Sequence, residues 1–465
     1  MRTLTKDTVN KIRETVTLMG WVGGRRDHGK LIFIDLRDRW GLVQIVFSAK
    51  GGSVSGGNPN LLELADKLRP EWVVKIDGIV KERPEGMRNP DIATGNVEIE
   101  ATKLEILAEA KAPPFDVASD GREIGEDIRL KHRYLDLKRG RLQKNLILRS
   151  EFPKHIRDFL YERDFVETET PLLTKSTPEG SRDFVVPSRL HPGKFYALPQ
   201  SPQQYKQLLM VAGLEKYFQI ARALRDEDTR ADRGFEHTQI DIEMSFVEQK
   251  DVMNFIEEMV IYAAEKIGQK ITQKPFPTFT YQEAMEKFGA DKFDLRQNKG
   301  SKELAFAWVV DFPVFEKDEN GCLTYSHNPF TAPKPEHVNE LMRGKNLESL
   351  ISLQYDLVCN GHEVGGGGIR INKAEVLEKV FEILGHTKEE IKEKFGHMLE
   401  AFEYGAPPHG GIALGLDRLM MIFSEEEAMR EVVAFPLTGD GRDLMMDSPS
   451  GLTKKQLREL HIKAG

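Results

Sequence analysis

The stretch "NGHEVGGGGIR" places four consecutive glycines between a carboxylate, Glu363, and a guanidinium, Arg370. Glycine has no side chain, so it allows a ligand or another backbone to approach closely. The spacing fits neither the Walker loop nor the dinucleotide-binding turn, the two common phosphate-binding loops. Because β-forming residues precede the glycines and a helical run follows them, the stretch indicates a strand that forms a flat floor. A flexible loop is the alternative.

Three other stretches concentrate charged side chains beside regular elements. The first, "FLYERDFVETETPLL", indicates a helix that leads into a strand. The second begins at Arg225 and Glu227, continues through a polar loop, and returns into a strand that carries Asp241. In the third, "GIALGLDRLMMI", glycines precede a helix that bears Arg418. Any single Arg or Glu is most simply explained as part of a surface ion pair. Only the combination of these stretches can therefore indicate a functional site.

The first hundred residues alternate short apolar strands with turns, and the amphipathic stretch "LLELADKLR" lies between the third and fourth strands. This order predicts an OB barrel, whose exposed face binds oligonucleotides. The basic residues Arg25 and Arg26 and the aromatic Phe33 fall on its first hairpin. Rings stack on single-stranded bases while cations hold phosphates, so the pattern favours RNA or DNA over a purely structural barrel.

A charged, proline-bearing connector follows, and the rest of the chain mixes helices and strands without a strict βαβ rhythm. This mixture predicts an α+β fold built on an antiparallel sheet. The length of the chain requires more than one hydrophobic core. We therefore expect an OB-fold domain at 1–108, a hinge at 109–140 and a second, α+β domain at 141–465.

The composition is that of an ordinary globular protein, with 30% charged residues, 40% apolar residues and a net charge of −8. The sequence has no apolar run of membrane-helix length and no apolar leader near Met1, so we expect neither a membrane span nor a secretion signal. Cys322 and Cys359 are the only cysteines. Two cysteines in so long a chain do not make a disulfide framework, which predicts a cytoplasmic protein.

The charged stretches resemble motifs 1, 2 and 3 of the class II aminoacyl-tRNA synthetases, and the chain as a whole resembles the bacterial-type aspartyl-tRNA synthetases. The resemblance covers nearly the full length, in the family's order. It is carried by nine stretches: "GWVGGRRDHGKLIFIDLRDRWGLVQIVF", "RYLDL", "TPEGSRDF", "LPQSPQQYKQLLM", "RDEDTRADR", "HNPFTAP", "NGHEVGGGGIR", "GLDRLMM" and "AFPLTGDGRDLMMDSPS". One match alone would carry little weight, but nine in order indicate the family.

The resemblance implies an enzyme that joins aspartate to ATP as aspartyl-adenylate and then transfers it to the 3′ end of tRNA. Arg370 and Lys206 would hold the side-chain carboxylate of aspartate. The full set implied for aspartate is Glu179, Ser201, Gln203, Lys206, Arg225, Asp241, His327 and Arg370. Two cations facing a short acidic side chain would be left unpaired if asparagine bound instead, which is a basis for rejecting it.

Adenylate formation brings two anions together, so it requires fixed cations. By resemblance, Arg225, Glu227 and Arg418 are the catalytic residues. The residues implied for ATP are Arg225, Asp226, Glu227, His237, Glu363, Gly415, Leu416, Asp417 and Arg418. Glu363 and Asp241 are the carboxylates available to hold Mg²⁺ between phosphates, because this ion favours a few carboxylates plus phosphate oxygens. We therefore expect ATP as a substrate and Mg²⁺ as its metal.

The chain departs from the family pattern at several positions. His237 stands where a phenylalanine often stacks on adenine, Gly234 where a glutamine often contacts ATP, and Asn328 where a second histidine is usual. Bacterial members also carry an inserted domain between motifs 2 and 3, whereas this chain lacks it near 296–305. Because the flanking elements are intact, we expect adenylate formation without the inserted domain.

The resemblance also implies that the OB face reads the tRNA anticodon. The residues implied in this contact are Arg25, Arg26, Phe33, Gln44 and Glu98. Two loop residues, His28 and Gly86, resemble the non-discriminating type of enzyme. That type charges tRNA(Asn) as well as tRNA(Asp) and relies on an amidotransferase to convert the attached aspartate. Histidine can donate or accept a hydrogen bond, and a glycine tip excludes no base.

Motif 1 further implies a homodimer. Its apolar side chains Phe159, Leu160, Phe165 and Val166 would form a two-fold contact beside Pro171, with core packing inside one subunit as the alternative.

The sequence leaves three other functions to consider. An asparaginyl- or lysyl-tRNA synthetase would share the barrel and the motifs, but Lys206 and Arg370 argue against it. A catalytically inactive RNA-binding relative would show damage at Arg225, Glu363 or Arg418, and all three are present. A synthetase-like asparagine synthetase would have no use for an anticodon-reading barrel.

Overall fold

The computed structural model describes residues 1–48, 61–176, 180–318 and 321–463. The chain divides into two compact units, Met1–Lys144 and Asn145–Gly465. Among the described helices, none combines the length and the apolar character needed to cross a membrane.

The first unit contains a closed five-stranded barrel in the order β1-β2-β3-β5-β4. Its strands are β1 (Thr15–Asp27), β2 (Leu31–Asp38), β3 (Gly41–Ser48), β4 (Val73–Glu82) and β5 (Val97–Ala108). Buried side chains alternate with partly buried ones along β2, β3 and β4, so one face of these strands fills the barrel core. β3 and β5 pair in parallel and close the barrel. The predicted OB fold is confirmed.

In the described part of the first unit, three complete helices accompany the barrel. They are α1 (Leu61–Lys67), α2 (Glu126–Lys131) and α3 (Arg133–Asp136). α1 lies between β3 and β4 in the chain, as the sequence predicts, and packs against β3 and β5 through the buried Ala65. The segment predicted as a hinge contains α2 and α3, and its residues belong to the first compact unit.

The second unit is built on an eight-stranded sheet in the order β11-β12-β15-β16-β17-β10-β9-β6. The strands of this unit are β6 (Val166–Glu167), β7 (Val185–Pro187), β8 (Phe195–Ala197), β9 (Lys216–Leu224), β10 (Glu236–Ser245), β11 (Thr278–Thr280), β12 (Phe306–Val310), β13 (Phe315–Lys317), β14 (Leu323–Tyr325), β15 (Gln354–Cys359), β16 (His362–Ile369) and β17 (His409–Gly415). The six central strands pair antiparallel, and only the edge strands β6 and β11 pair in parallel. The predicted α+β class is therefore confirmed.

Helices cover one face of this sheet and form a separate layer at one end. The helices from this part of the chain are α4 (Gly140–Tyr161), α5 (Gln203–Val211), α6 (Gln249–Lys266), α7 (Tyr281–Phe288), α8 (Val338–Arg343), α9 (Ala374–Ile383), α10 (Lys388–Glu403), α11 (Leu416–Phe423) and α12 (Lys454–Glu459). α6 and α11 pack on β10, β16 and β17 in the largest core, whereas α9 and α10 build a second core around Phe381 and Phe395. The other face is covered in part by α5, which packs against β9 and β10, and is open where β16 and β17 line a cavity.

The four consecutive glycines, residues 365–368, lie in β16, and they do not all face the same side of the sheet. A Cβ added at Gly366 would lie 2.6 Å from His327 Cε1 on the open face. A Cβ added at Gly367 would lie 2.6 Å from Tyr355 Cε2 in the core. Because side chains alternate along a strand, only part of the run can serve a ligand. The rest is glycine because the neighbouring strands and core side chains leave no room for a Cβ.

The apolar residues of motif 1 lie mainly inside the subunit. Phe159, Leu160 and Phe165 are buried in its own core, where the Phe165 ring stacks on Phe255 at a centroid distance of 5.0 Å. Val166 alone of the predicted contact residues is exposed. The predicted dimer face is therefore wrong for three of its four residues, because α6 already covers them.

Candidate active site and nucleic-acid interface

A cavity of about 290 Å³ opens on the uncovered face of β10, β16 and β17. Most of the predicted site residues line it: Ser201, Gln203, Lys206, Arg225, Glu227, His237, Asp241, His327, Glu363, Arg370, Gly415, Asp417 and Arg418. These residues come from β10, β16, β17, α5, α11 and the loops between elements. The fold thus gathers stretches separated by more than two hundred positions in the sequence.

Two cations and two carboxylates alternate at the buried end of the cavity. Lys206 on α5 donates to Asp241 at 2.6 Å and lies 3.1 Å from Glu243. Arg370, which directly follows β16, donates to Glu243 from Nε at 2.9 Å and from Nη2 at 3.2 Å. All four side chains are at least 95% buried. Charges so deeply buried are tolerated because each has a partner.

This cluster keeps one donor unused. Arg370 Nη1 is buried and has no hydrogen-bond partner among the described residues. Burial would raise the pKa of Glu243, but Arg370 and Lys206 lower it to about 2, so Glu243 remains ionised. Since the carboxylates already balance both cations, a bound acidic ligand would be held by the free edge of the guanidinium rather than by uncompensated charge.

The other end of the cavity carries the arginines of motifs 2 and 3. Arg225 donates from Nε to the backbone oxygen of Gln200 at 3.4 Å. Arg418 donates to the backbone oxygen of Glu363, and its Nη2 lies 3.5 Å from the carboxylate of Asp232. These contacts fix the two guanidinium groups before any ligand binds, as electrostatic catalysis requires.

Glu227 is held from two sides. It accepts a hydrogen bond from Ser181 Oγ, and its second oxygen lies 3.0 Å from Arg233 Nη1. Arg233 also lines the cavity. The motif 2 loop therefore presents Arg233 in addition to the predicted Arg225.

Glu363 lies beside Lys292 and Asp356 rather than beside Asp241. Lys292 Nζ is 2.9 Å from Glu363 Oε2, and burial, which would raise the pKa of Glu363, is outweighed by this lysine so that the pKa is lowered. Burial and the negative charge of Glu363 raise the pKa of Asp356 well above its ordinary value. Asp241 is instead engaged by Lys206. Of the two carboxylates predicted for Mg²⁺, Glu363 therefore interacts electrostatically with Asp356, and Asp241 is paired with Lys206.

No group of three or more His, Cys, Asp or Glu side chains arranged to hold a metal occurs in the described part of the chain. A pair of repelling carboxylates still suits Mg²⁺, which takes a few carboxylates and completes its octahedron with phosphate oxygens and water.

Two histidines in the cavity are held neutral. Burial, opposed only in part by Glu363, lowers the pKa of His327 to about 4. Burial and the positive charges of Arg225 and Arg418 lower the pKa of His237 to about 3. A neutral imidazole at position 237 offers an aromatic face to a ligand without adding charge beside the arginines.

Four predicted site residues lie differently from the rest. Asp226 is outside the cavity and lies 3.4 Å from Arg182, and the Leu416 side chain packs in the core. Asp417 lines the cavity but is buried, and its carboxylate braces β10 by accepting from the backbone nitrogen of Thr238 at 2.8 Å. Glu179 lies outside the described residues.

The barrel of the first unit carries a row of polar side chains across its outer face. Asp35 on β2 is paired with Gln44 on β3, and Gln44 with Glu98 on β5, so the three are adjacent. Gln44 accepts from Arg26 at 3.3 Å and donates to Glu98 at 3.0 Å, while Arg26 also donates twice to Asp35. The predicted contact residues Arg26, Gln44 and Glu98 thus form one hydrogen-bonded row.

The first hairpin adds an aromatic edge to this row. The His28 ring meets Phe33 edge-to-face at a centroid distance of 5.5 Å. Arg25 points away from this pair, since it bonds to Asp27 and Asp66. Gly86 lies in the short helical turn Glu85–Met87, and a Cβ added there would meet nothing within 4 Å. A larger side chain at position 86 would therefore fit.

Sequence reasoning missed several side chains of the cavity region, among them Arg233, Glu243, Lys292 and Asp356. Glu243 could have been found, because it lies two positions after Asp241 in one strand and so shares its face. Lys292 and Asp356 give no such signal, since their approach to Glu363 depends on how separate segments pack.

The described geometry is accompanied by a family match. Residues 125–439 match the family described as "tRNA synthetases class II (D, K and N)", and residues 16–107 match "OB-fold nucleic acid binding domain". The chain belongs to the class II tRNA synthetases. Membership of this family implies ATP as a substrate, and an amino acid and tRNA as partners.

Curated relatives indicate which synthetases of this family the chain resembles. Proteins named "Aspartate--tRNA(Asp/Asn) ligase" from Rubrobacter xylanophilus and Halothermothrix orenii are 41% and 42% identical to this chain. The matches cover 97% and 98% of this chain and 95% and 97% of the relatives. The predicted resemblance to the aspartyl-tRNA synthetases is confirmed. The first alignment runs over 579 residues although the chain has 465, as an absent inserted domain would produce.

Solved structures of class II synthetases share the fold. An aspartyl-tRNA synthetase from Entamoeba histolytica superposes with a TM-score of 0.74 at 21% identity, covering 94% of this chain and 91% of that chain. An asparaginyl-tRNA synthetase from Pyrococcus horikoshii, solved with asparaginyl-adenylate, gives 0.71 at 20% identity, with 92% and 95% coverage. At these identities the likeness concerns the fold alone.

Proposed function

We propose that the chain activates L-aspartate with ATP and transfers it to tRNA(Asp) and tRNA(Asn). The observation that carries this proposal is the buried Arg370, whose Nη1 is unused while Nε and Nη2 are fixed on Glu243. A carboxylate at the end of a short side chain can accept from Nη1 and from Lys206, which lines the same end of the cavity. The names of the curated relatives support the same substrate.

The cluster explains rejection of other amino acids. Asparagine would turn an NH₂ donor toward the two cations, so that the donors of Arg370 or Lys206 would lose an acceptor. Lysine would bring a third cation into a region where two carboxylates already balance two cations. An asparaginyl or lysyl specificity is therefore disfavoured.

Activation requires the α-carboxylate of aspartate to approach the α-phosphorus of ATP. A carboxylate oxygen attacks phosphorus, the bond to the bridging oxygen breaks, and pyrophosphate leaves. Arg225 stabilises the negative charge between the two substrates, and Arg418, fixed by Glu363 and Asp232, binds the departing phosphates. His237, held neutral, stacks on the adenine ring.

Magnesium fits beside Glu363. Burial and the negative charge of Glu363 raise the pKa of Asp356, and a bound cation would reduce the repulsion between the two carboxylates. When bound, Mg²⁺ neutralises phosphate oxygens and lowers the cost of charge on phosphorus. Glu363 and Asp356 would hold the ion.

Recognition of tRNA belongs to the barrel. Phe33 stacks on an anticodon base, and the row of Arg26, Gln44 and Glu98 hydrogen-bonds to base edges. His28 lies against Phe33, and its imidazole accepts or donates to suit either of the bases that distinguish the two anticodons. Charging of tRNA(Asn) would link this enzyme to an amidotransferase that converts the attached aspartate.

The chain also forms a homodimer through the exposed part of motif 1. With Phe159, Leu160 and Phe165 inside the core, the apolar surface of this segment consists of other side chains. They are Tyr161, Val166, Leu172 and Leu173, each more than 40% exposed. An isologous contact would cover this surface on both subunits.

Amino-acid-dependent ATP–pyrophosphate exchange tests the proposed activity. Exchange with L-aspartate and Mg²⁺, and not with asparagine or lysine, is the expected result. Charging of tRNA(Asp) and tRNA(Asn) transcripts in parallel then tests the second step. Exchange driven by asparagine or lysine without aspartate would overturn the proposal.

A further inference from the structure

A chain of buried hydrogen bonds runs from the backbone at Pro407 to the wall of the cavity. His409 Nδ1 lies 2.7 Å from the Pro407 carbonyl oxygen, and His409 Nε2 lies 3.0 Å from Gln207 Nε2. Gln207 Oε1 in turn lies 2.9 Å from Gln203 Nε2. His409 and Gln207 are fully buried, and Gln203 is 7% exposed and lines the cavity.

The carbonyl at the start of this chain fixes the direction of every bond in it. A backbone carbonyl only accepts, so His409 Nδ1 must donate. Burial lowers the pKa of His409, although Glu243 opposes this and Arg370 and Lys206 assist it. A neutral imidazole that donates from Nδ1 can only accept at Nε2, so the Gln207 NH₂ group must donate to it.

The same reasoning carries the direction to Gln203. Because the NH₂ group of Gln207 is turned to His409, its Oε1 is turned to Gln203 and needs a donor. Gln203 therefore uses its own NH₂ group for this bond. Its Oε1 has no partner among the described residues and remains for a ligand in the cavity.

We infer that Gln207 and His409 are positioning residues that hold the Gln203 carboxamide with its oxygen toward the α-ammonium group of the amino-acid substrate. A carboxamide that is free to flip presents either an acceptor or two donors. Two donors facing an ammonium group repel it, whereas the oxygen accepts a charge-assisted hydrogen bond. The inference rests on the proposed function, since it takes aspartate as the ligand.

The binding of two ligands distinguishes a change in the orientation of the Gln203 carboxamide from a general change in packing at the site. Succinate has the two carboxylates of L-aspartate and lacks its ammonium group. In Gln207→Met, which keeps the volume and removes both polar atoms, we expect L-aspartate to bind at least about tenfold more weakly, the loss of roughly one charge-assisted hydrogen bond. The affinity for succinate should change by less than about threefold. Calorimetric titration of both ligands measures the two changes.

Three further variants make the test specific. His409→Phe keeps a ring in the contact with Phe402 and removes the acceptor, so it should reproduce the loss selective for aspartate. Gln207→Glu retains an acceptor for Gln203 and should recover much of the affinity. Gln204→Met changes the next residue of the same helix, which is as buried as Gln203 but bonds to His397, and should leave the ratio of affinities unchanged.

Equal weakening of aspartate and succinate in Gln207→Met and His409→Phe would overturn the inference, as would the same selective loss in Gln204→Met. If Gln207→Met fails to fold, His409→Phe decides by the same ratio. Failure of the proposed function would give a different result, because the unmodified protein would then not bind L-aspartate.

Discussion

Arg370 and Glu243 form a two-point contact, Nε to Oε1 at 2.9 Å and Nη2 to Oε2 at 3.2 Å, with both side chains fully buried. This geometry fixes the plane of the guanidinium and directs Nη1 away from the protein contact. A group so constrained can select the position of a ligand carboxylate as well as its charge.

Replacement of Arg370 by Leu should weaken the binding of aspartate much more than the binding of ATP. We expect the KM for aspartate in pyrophosphate exchange to rise at least about a hundredfold, because a buried charge-assisted pair is lost. ATP binding without aspartate should be nearly unchanged. The exposed Arg343 provides the matched control, since Arg343→Leu should alter neither quantity. A parallel loss of ATP binding in Arg370→Leu would contradict this assignment.

Loss of Arg225 should act on the chemical step. We expect Arg225→Ala to lower the exchange rate by at least about a hundredfold, as removal of one preorganised charge typically does. Arg222, three residues earlier and on β9, pairs with the exposed Glu236, so Arg222→Ala should retain most activity. Comparable rates in Arg225→Ala and the unmodified enzyme would exclude Arg225 from catalysis.

The partly buried His237 predicts a dependence of stability on pH. Its pKa is lowered to about 3 in the folded state, so the unfolded chain binds a proton below pH 6.5 that the folded chain does not. This group therefore costs stability increasingly as the pH falls from 6.5 toward 3, by at most about 1.4 kcal/mol per pH unit. His237→Phe removes the cost. Urea denaturation at a series of pH values should show the variant gaining relative to the unmodified protein on acidification, whereas parallel curves would refute the shift.

The contact between His28 and Phe33 predicts a change in tRNA specificity. His28→Leu removes both hydrogen-bonding atoms beside the stacking ring, so charging of the tRNA(Asn) transcript should fall by at least about tenfold relative to tRNA(Asp). Lys30→Leu, in the same exposed turn, serves as the control. A preference for tRNA(Asp) well beyond tenfold in the unmodified enzyme, left unchanged by His28→Leu, would refute the role of His28.

The exposed part of motif 1 predicts how the subunits associate. Val166→Asp places a charge in the proposed two-fold contact and should shift sedimentation from dimer toward monomer at micromolar concentration. Met285→Asp introduces the same change on an exposed position of α7 and should leave the dimer intact. A stable and fully active monomer of the unmodified chain would exclude the interface.

The sequence was most informative where a pattern repeats. The alternation of apolar residues identifies the barrel strands, and the charged stretches around Arg225 and Arg418 identify the walls of the cavity. It was least informative where the position of a side chain depends on contacts between distant segments. Asp356 faces Gly366 only through the register of β15 and β16, and Phe165 is buried only because α6 brings Phe255 over it. Neither relationship has a local signal, so neither could be predicted.

The parallel pairing of β3 with β5 also has a kinetic consequence. Gln44 and Glu98 are neighbours in the barrel but are separated by more than fifty residues of chain. Contacts of such large sequence separation carry a loop-closure cost and form late in folding, after hairpins such as β1–β2. The row that contains Gln44 and Glu98 is completed only by this long-range pairing. During folding, the barrel therefore assembles this row of hydrogen-bonding side chains late rather than gradually.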